Sequence, residues 1–426
     1  MKRLAALAVC AFISLIAAAQ AADLTGTWQA DSKPQRVLKI TRSAHGYRGD
    51  FYNLGPEAAM TPRYNSVSAI ALSGNSVHFA LDKAEGTFDG TLSDDGKTIA
   101  GTWKMLYGPP SQPLTFTRTA KKDEWVIDPS PHKITFVTVQ PSVNLEVLDF
   151  GGSGPPLIFL SGLYNSGHSF DGFAEKFTAR HHVYAITRRG FGASSFPPPT
   201  DANYDADRLG DDVVAVMAAL HIEKPVIAGH SIAGQELSSI GTRYPDKIAG
   251  LIYLESLYAY AFYNPAEPGL ALDAAIVRRD LDRMFDVQPS GAKWGALIKE
   301  TQAAMVNLDQ SLKDTAAMMD TINGLPAEPE SPSDLAANKI VANPHPYGAA
   351  SVPVLAIIAQ PRRCEPQCDT PSMKRIMAGD AARADLFEKT APHARVVRIA
   401  RASHFIWRSN EAQVEQEMNT FLDGLK

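Results

Sequence analysis

Residues 225–234 read Pro-Val-Ile-Ala-Gly-His-Ser-Ile-Ala-Gly, and the rest of the chain is interpreted from this segment. A short apolar run ends at Ser231, with Gly229 two positions before it and Ala233 two positions after it. A tight turn from a strand into a helix needs small neighbours, because it holds the residue at its tip in a strained backbone conformation. We therefore expect Ser231 to be a nucleophile at the carboxyl end of a buried strand, with His230 pointing away from its Oγ. The alternative is a serine that only caps the helix.

Apolar runs alternate with helical patterns from about residue 134 to residue 426. The runs are Pro156–Leu160, Val183–Thr187, Pro225–Ala228, Gly250–Leu254, Val352–Ala359 and Ala394–Ile399. Such runs are typical of parallel strands buried on both faces, and their alternation with helices predicts a doubly wound α/β sheet. Two preceding runs, Ile134–Gln140 and Val143–Phe150, predict an antiparallel hairpin that leads into the sheet.

Residues 256–351 interrupt this alternation between two consecutive strands. The interval is far longer than an ordinary crossover, so it predicts an inserted cap. Helical patterns cover Gly269–Phe285 and Lys293–Ile322, whereas the Pro-rich stretch Pro326–Pro332 predicts a surface loop.

Residues 22–120 show short alternating strands separated by turn signals, which predict a small antiparallel β-barrel or sandwich domain. Gly-Thr-Trp occurs at residues 26–28 and again at residues 101–103. By these pairs and by its strand spacing, the segment resembles the lipocalin-like β-domain at the N-terminus of some secreted bacterial hydrolases. A scaffold without a ligand is the reading that we prefer for it. Residues 121–133 are polar and contain prolines, which predicts a linker.

Residues 1–21 predict a secretory signal peptide. Lys2 and Arg3 precede an apolar stretch, and Ala-Gln-Ala at residues 19–21 matches a cleavage site. We expect a periplasmic or secreted protein without a stable membrane span after processing. The alternative is an uncleaved anchor helix, for which the apolar stretch is short.

Composition narrows the classes of function. The chain has 426 residues, of which 45% are hydrophobic and 20% charged, and its net charge is −5. This is ordinary for a globular protein of about two domains, and no run of Lys and Arg suggests a nucleic-acid partner. Cys364 and Cys368 are the cysteines left after cleavage, and we expect a disulfide between them, with two free thiols as the alternative. A zinc site would need two more ligands, so we expect no metal.

Two more segments accompany the serine turn. Residues 159–163 read Phe-Leu-Ser-Gly-Leu at the end of a strand, and residues 187–192 read Thr-Arg-Arg-Gly-Phe-Gly at the end of the next. With them, the second part of the chain resembles the α/β-hydrolase superfamily. The resemblance implies that Leu163 and Ile232 donate backbone N–H groups to an oxyanion. Ser161 stands where many members have histidine, and we expect the 187–192 turn to be purely structural.

The superfamily order of serine, acid and histidine implies that His404 is the base, because it follows the last strand and precedes the final helix. We expect activity to rise near neutral pH as His404 loses its proton. The usual position of the acid, after the next-to-last strand, holds no carboxylate. Glu255, at the end of the strand after the serine, is the better candidate, as in haloalkane dehalogenases. Asp369 and Glu365 remain alternatives.

The expected reaction is acyl transfer by a Ser-His-acid triad, with a carboxylic ester as the small-molecule substrate and no cofactor. An amide, a peptide N-terminus or a lactone is the first alternative, and a non-catalytic binding protein is the second. Dehalogenases and epoxide hydrolases use aspartate as the nucleophile, and Ser231 argues against both of these reactions.

Overall fold

The structure of the protein is a computed structural model. It describes residues 23–30, 32, 35–43, 46–54, 64–81, 87–104, 111–119, 132–192, 194–263, 269–286, 291–322, 332–364, 368–369, 371–391 and 393–425. The predicted signal peptide, most of the predicted linker and Glu365 lie outside these residues.

The first part of the chain is a closed antiparallel barrel of eight strands. They are β1 (Gly26–Ala30), β2 (Gln35–Ser43), β3 (Gly46–Leu54), β4 (Tyr64–Ser73), β5 (Ser76–Ala80), β6 (Thr87–Leu92), β7 (Thr98–Lys104) and β8 (Gln112–Thr119). Each strand pairs with the next, and Thr27 of β1 lies opposite Thr119 of β8, which closes the barrel. The predicted small β-domain is thus confirmed, as a barrel and not a sandwich.

Aromatic rings fill the interior of the barrel. The buried rings are Trp28, Phe51, Phe79, Phe88, Trp103 and Phe116. Phe51 stacks on Trp103 with ring centroids 5.5 Å apart. Residue 101 is a glycine for a steric reason: a Cβ at this position would lie 2.1 Å from the backbone oxygen of Asp89. The glycine of the second Gly-Thr-Trp therefore lets β6 and β7 approach each other.

An eight-stranded sheet follows, in the order β16-β15-β14-β13-β11-β12-β10-β9. Its strands are β9 (Lys133–Gln140), β10 (Val143–Gly151), β11 (Pro156–Leu160), β12 (His182–Ile186), β13 (Val226–His230), β14 (Gly250–Leu254), β15 (Val354–Ala359) and β16 (Ala394–Ile399). Strands β11 to β16 are parallel, whereas β9 and β10 form the antiparallel hairpin. This confirms the doubly wound α/β sheet with two antiparallel leading strands.

Helices cover both faces of the sheet. The α-helices are α1 (Asp201–Tyr204), α2 (Ala206–Ala219), α3 (Ala233–Arg243), α4 (Leu270–Asp286), α5 (Gly291–Ile322), α6 (Pro332–Ala342), α7 (Pro371–Thr390), α8 (Ile406–Ser409) and α9 (Glu411–Asp423). Along β11, Ile158 packs into the core under α2, α3 and α7, while Phe159 packs into the core under α9. Burial on both faces explains the continuous apolar runs.

The interval between β14 and β15 carries the three cap helices α4, α5 and α6. The first two match the predicted helical patterns. The third begins at Pro332, which the sequence placed in a surface loop, because proline suits the first turn of a helix as well as a loop. Within the part of the chain that the structure describes, no helix has the length and apolar character needed to cross a membrane.

Gly234 in α3 lies against the chain that follows β14. A Cβ at this position would lie 2.1 Å from the backbone oxygen of Ser256, so Gly234→Ala should lower the free energy of unfolding by about 1–3 kcal/mol. Gly295→Ala in α5 is the matched control, because a Cβ there meets nothing within 4 Å and should stabilise the helix by up to about 1 kcal/mol. Chemical denaturation followed by circular dichroism measures both. Equal stability of the two variants would contradict the close approach.

Candidate active site

Ser231 lies between the end of β13 and the start of α3 and adopts φ +53, a left-handed conformation that is rare outside glycine. The residues around it are small because the turn is tight. A Cβ at Gly229 would lie 3.1 Å from the Cβ of Ala233, so an alanine fits at 233 only because 229 is a glycine. This explains why the motif can depart from glycine at its last position. The strain at Ser231 is a feature that clusters at functional sites.

His404 follows β16 and reaches across the sheet edge to the serine. Its Nε2 lies 3.0 Å from Ser231 Oγ, which is hydrogen-bond distance for proton transfer between them. Packing of protein groups around the ring, followed by the charge of Arg362, lowers the pKa of His404 to about 4, although the residue is exposed at its outer edge. A neutral imidazole is therefore present well below neutral pH. We therefore do not assign the expected gain of activity near pH 7 to deprotonation of His404.

Glu255 ends β14 with φ +46 and is 5% exposed. Its Oε2 accepts a hydrogen bond of 2.6 Å from the backbone N–H of Ala359, and Arg362 Nη2 lies 3.5 Å from its Oε1. Burial raises the pKa of Glu255 to about 7, against the opposing effects of that N–H and of Arg362. Glu255 and His404, both within the described residues, share no direct hydrogen bond or ion pair.

Tyr258 lies between these two residues. Its Oη is 3.3 Å from Glu255 Oε1 and 3.3 Å from His404 Nδ1. Sequence reasoning gave Tyr258 no part in the triad, and its spacing of three residues from a strand-end carboxylate was the available signal. The nearby Tyr260 hydroxyl interacts with the side chain of Ser231. The structure thus brings Ser231, His404 and Glu255 to one edge of the sheet, with a tyrosine hydroxyl between the last two.

The other candidate acids lie elsewhere. The side chain of Asp369 is 99% exposed and pairs with Lys374 at 3.3 Å. Glu365 lies outside the described residues. Next to these acids in the chain, Cys364 and Cys368 form a disulfide, with their Cα atoms 5.0 Å apart.

His230 contacts the candidate base from behind. Its ring centroid lies 4.5 Å from that of His404, and its Nε2 is 2.9 Å from the backbone oxygen of His404. Burial, and then the neighbouring His404, lower the pKa of His230 well below its usual value, so the ring is neutral and can donate to that oxygen. A Cβ at Gly162 would lie 2.7 Å from His230 Nδ1, which explains the glycine in the 159–163 loop. Sequence reasoning missed this role because the contact spans 174 residues.

Arg188 supports the 159–163 loop from below. Its Nη2 donates to the backbone oxygen of Ser161 at 2.8 Å, and its Nη1 donates to that of Gly162 at 3.3 Å. Arg188 also forms a two-point ion pair with Glu236 of α3, at 2.5 and 2.7 Å, and both side chains are buried. The 187–192 turn therefore has the structural role that was expected. It ties the loop after β11 to the helix after Ser231.

Leu163 and Ile232, the two expected N–H donors, belong to this supported region. Their side chains pack in one apolar cluster beside Ser231. The hydroxyl of Ser161 donates to the backbone oxygen of Asn165 at 3.0 Å, so serine supplies a hydrogen bond within the loop where many superfamily members have histidine.

Two groups of residues resemble metal sites in composition. His132, His168 and Asp171 form one, and Asp205, Asp207 and His345 form the other, each with ligand atoms within 4.8 Å. Burial disfavours protonation of His168, but the carboxylates around it outweigh burial and raise its pKa to about 9. Protonated His168 and the carboxylates of Asp171 and Glu146 form a buried ion-pair network.

The sequence comparisons agree with this geometry. The family model described as "alpha/beta hydrolase fold" matches residues 155–407, which is more than half of the chain. The protein belongs to the α/β-hydrolase family. The match covers Ser231, Glu255 and His404 as well as the loop after β11.

Curated relatives align over short segments. A 2-(acetamidomethylene)succinate hydrolase of Mesorhizobium japonicum is 24% identical over 127 residues, which cover 30% of this chain and 42% of that protein. A fluoroacetate dehalogenase of Burkholderia sp is 28% identical over 119 residues, covering 28% of this chain and 39% of that protein. The chain thus spans about two fifths of the length of these relatives.

Among solved structures, a probable hydrolytic enzyme of Pseudomonas aeruginosa PAO1 is similar to this α/β hydrolase at 14% sequence identity. The similarity covers 69% of this chain and 95% of that chain, with a TM-score of 0.47.

Removal of Arg188 should separate stability from activity. Arg188→Met leaves Glu236 as a buried unpaired carboxylate and should lower the free energy of unfolding by about 3–5 kcal/mol. The double variant Arg188→Met/Glu236→Leu should recover much of that stability but remain slow, because the loop carbonyls of Ser161 and Gly162 stay without their donor. Chemical denaturation measures the stability of each variant, and the rate at which a fluorophosphonate probe labels Ser231 measures its reactivity.

The matched control is Arg180→Met, which breaks an exposed ion pair with Asp423 and should cost less than about 1 kcal/mol. An Arg188→Met enzyme with wild-type stability and rate would contradict the supporting role.

Proposed function

We propose that this α/β hydrolase is an exported serine hydrolase that cleaves carboxylic esters through an acyl-enzyme. The observation that carries the proposal is the 3.0 Å distance between Ser231 Oγ and His404 Nε2. The lowered pKa of His404 favours a neutral imidazole, and we expect its Nε2 to be unprotonated. A serine hydroxyl becomes a nucleophile when such a base takes its proton. No metal or organic cofactor enters the reaction.

The steps follow the usual order for acyl transfer. His404 takes the proton of Ser231 while Oγ attacks the ester carbonyl, and the oxyanion accepts hydrogen bonds from the N–H groups of Leu163 and Ile232. His404 then protonates the departing alcohol, which leaves an acyl group on Ser231. Water, activated by the same imidazole, releases the carboxylic acid and restores the enzyme. Glu255 stabilises the imidazolium that forms in each half of the cycle.

An ester is favoured over a peptide N-terminus by the charges around the site. A peptidase of that type needs a carboxylate that is free to bind the substrate ammonium. Glu255 and Asp380, the acids beside Tyr258, are both engaged by Arg362, and Asp380 lies 2.5 Å from its Nη2. Dehalogenation, which the name of one relative states, and epoxide opening remain disfavoured because the proposed nucleophile is a serine.

Export is part of the proposal and is supported by residues 1–21, which combine a basic start, an apolar stretch and an Ala-Gln-Ala cleavage pattern. A disulfide between Cys364 and Cys368 is compatible with an oxidising compartment. N-terminal sequencing of protein from the native host should begin after Ala21, and a mature protein that begins at Met1 would refute cleavage.

Loss of the nucleophile tests the proposal directly. Wild-type protein should hydrolyse short-chain aryl esters and should gain the mass of one fluorophosphonate probe, whereas Ser231→Ala should lose labelling and at least about 10³-fold in turnover. Ser76→Ala, at an exposed serine of the barrel, is the control and should behave as wild type. Intact-mass spectrometry and a series of acyl-chain lengths provide the measurements. Absence of labelling and of turnover across the series would leave the non-catalytic binding protein as the better reading.

The pH dependence should follow Glu255. Its pKa of about 7 lies above that of His404 at about 4, so the ionised acid and the neutral base coexist only above about pH 7. We expect kcat/KM to rise about tenfold per pH unit below that value and to reach a plateau above it. Hydrolysis of an uncharged ester between pH 5 and 9 measures this profile. A rate that is flat across this range would contradict the role of Glu255, whereas Glu255→Gln should be slow and lack the acidic limb.

A further inference from the structure

Tyr258 stands where a direct bond between the acid and the base would be expected. Its hydroxyl oxygen lies 3.3 Å from both Glu255 Oε1 and His404 Nδ1. The residue follows Glu255 by three positions on the chain leaving β14, and it is half-buried. Among the described residues, this hydroxyl is the group that joins the carboxylate to the imidazole by hydrogen bonds.

The number of protons determines the direction of these hydrogen bonds. A tyrosine hydroxyl has one proton to donate, and an ionised Glu255 can only accept. If Tyr258 donates to Glu255, its oxygen accepts from a protonated Nδ1 of His404, and the lone pair of Nε2 then faces Ser231. If Tyr258 donates to Nδ1 instead, the proton of the neutral ring sits on Nε2, and His404 cannot accept a proton from Ser231.

Arg362 favours the first arrangement. Its guanidinium, which has only donors, faces the Tyr258 hydroxyl and favours an acceptor oxygen on that side. Asp380 anchors Arg362 at 2.5 Å. The titratable and charged groups that face Tyr258 are Glu255 and Tyr260 on its own segment, Arg362 after β15, Asp380 on α7 and His404 after β16. Of the two groups that Tyr258 can bridge, only Glu255 is a pure acceptor.

We infer that Tyr258 is a positioning residue that reports the ionisation of Glu255 to His404 and selects the imidazole tautomer with its proton on Nδ1. This inference rests on the proposed function for its catalytic meaning. No proton passes from Glu255 to His404 through Tyr258: the tyrosine hydroxyl changes only its orientation, and the imidazole changes tautomer by releasing the Nδ1 proton to solvent and taking one from solvent at Nε2. Protonated Glu255 releases the hydroxyl to turn toward Nδ1 and favours the inactive tautomer.

The tautomer itself can be observed without any substrate. Nitrogen NMR of ¹⁵N-histidine-labelled full-length protein at pH 9, with His404→Gln identifying the signal, should place the proton of His404 on Nδ1. In Tyr258→Phe, the proton should move to Nε2 in most molecules. Tyr263→Phe is the matched control. It removes a tyrosine hydroxyl from the same segment of the chain, and that hydroxyl faces Asn307 of the cap. A proton on Nε2 in the wild type, or an unchanged signal in Tyr258→Phe, would overturn the inference.

Kinetics on an aryl ester add a second test. Tyr258→Phe should lower kcat by about 100-fold with KM changed less than about threefold, and it should lose the acidic limb of the pH profile. Because Tyr258 and Glu255 act as one unit, the double variant Glu255→Gln/Tyr258→Phe should be no slower than the slower single variant. Multiplied losses, or a Tyr258→Phe enzyme with the wild-type profile, would contradict the inference. Melting temperatures of all variants exclude misfolding as the cause of a loss.

The two tests separate the inferred role of Tyr258 from the proposed function. If wild-type protein neither hydrolyses esters nor reacts with a fluorophosphonate, the ester proposal fails, and the NMR experiment still decides whether Tyr258 sets the tautomer.

Discussion

The abrupt change from β13 to α3 is the constraint on which the site depends. It leaves Ser231 at φ +53, a conformation that costs energy for a residue with a side chain and that persists only when its surroundings enforce it. Gly229 and Gly234 allow the chain to pack closely around this turn. A Cβ at Gly229 would press against Leu237, and a Cβ at Gly234 would press against Ser256. Gly162 does the same from the neighbouring loop, where it lies under His230. The three glycines, which have no side chains, leave the space that places Ser231 at the edge of the sheet, and this matters more than added contacts.

Two arginines then fix the loops around this turn. Arg188 joins Glu236 of α3 to the carbonyl groups of the loop after β11, and Arg362 joins Asp380 of α7 to Glu255 at the end of β14. A buried charge is costly unless it is paired, so each arginine restricts the loop it contacts to a narrow range of positions. The two arginine–glutamate pairs, Arg188 with Glu236 and Arg362 with Glu255, differ in the pKa of the carboxyl group. Burial raises the pKa of both carboxyls, but that of Glu255 reaches about 7, where its charge can change with ambient pH.

The parts of the fold that could be predicted are those with a strong local pattern. The strand Gly250–Leu254 has the bounds expected from its apolar run, because burial on both faces leaves no polar position inside it. The helix α3 begins at Ala233, two residues after Ser231, since the left-handed serine cannot be part of it. The helix α6 was not predicted, because its first residue, Pro332, closes a Pro-rich stretch that reads as a loop.

The sequence by itself determined the fold class, the barrel before it, the serine at a strand-to-helix turn and the histidine after the last strand. Each of these is written in residues that are close together in the chain. Only the tertiary structure decided that Tyr258 lies between Glu255 and His404, that His230 holds the backbone of His404, and that Asp369 points to solvent. These contacts join loops more than a hundred residues apart or depend on how one loop turns, and no local pattern of residue types encodes such distances.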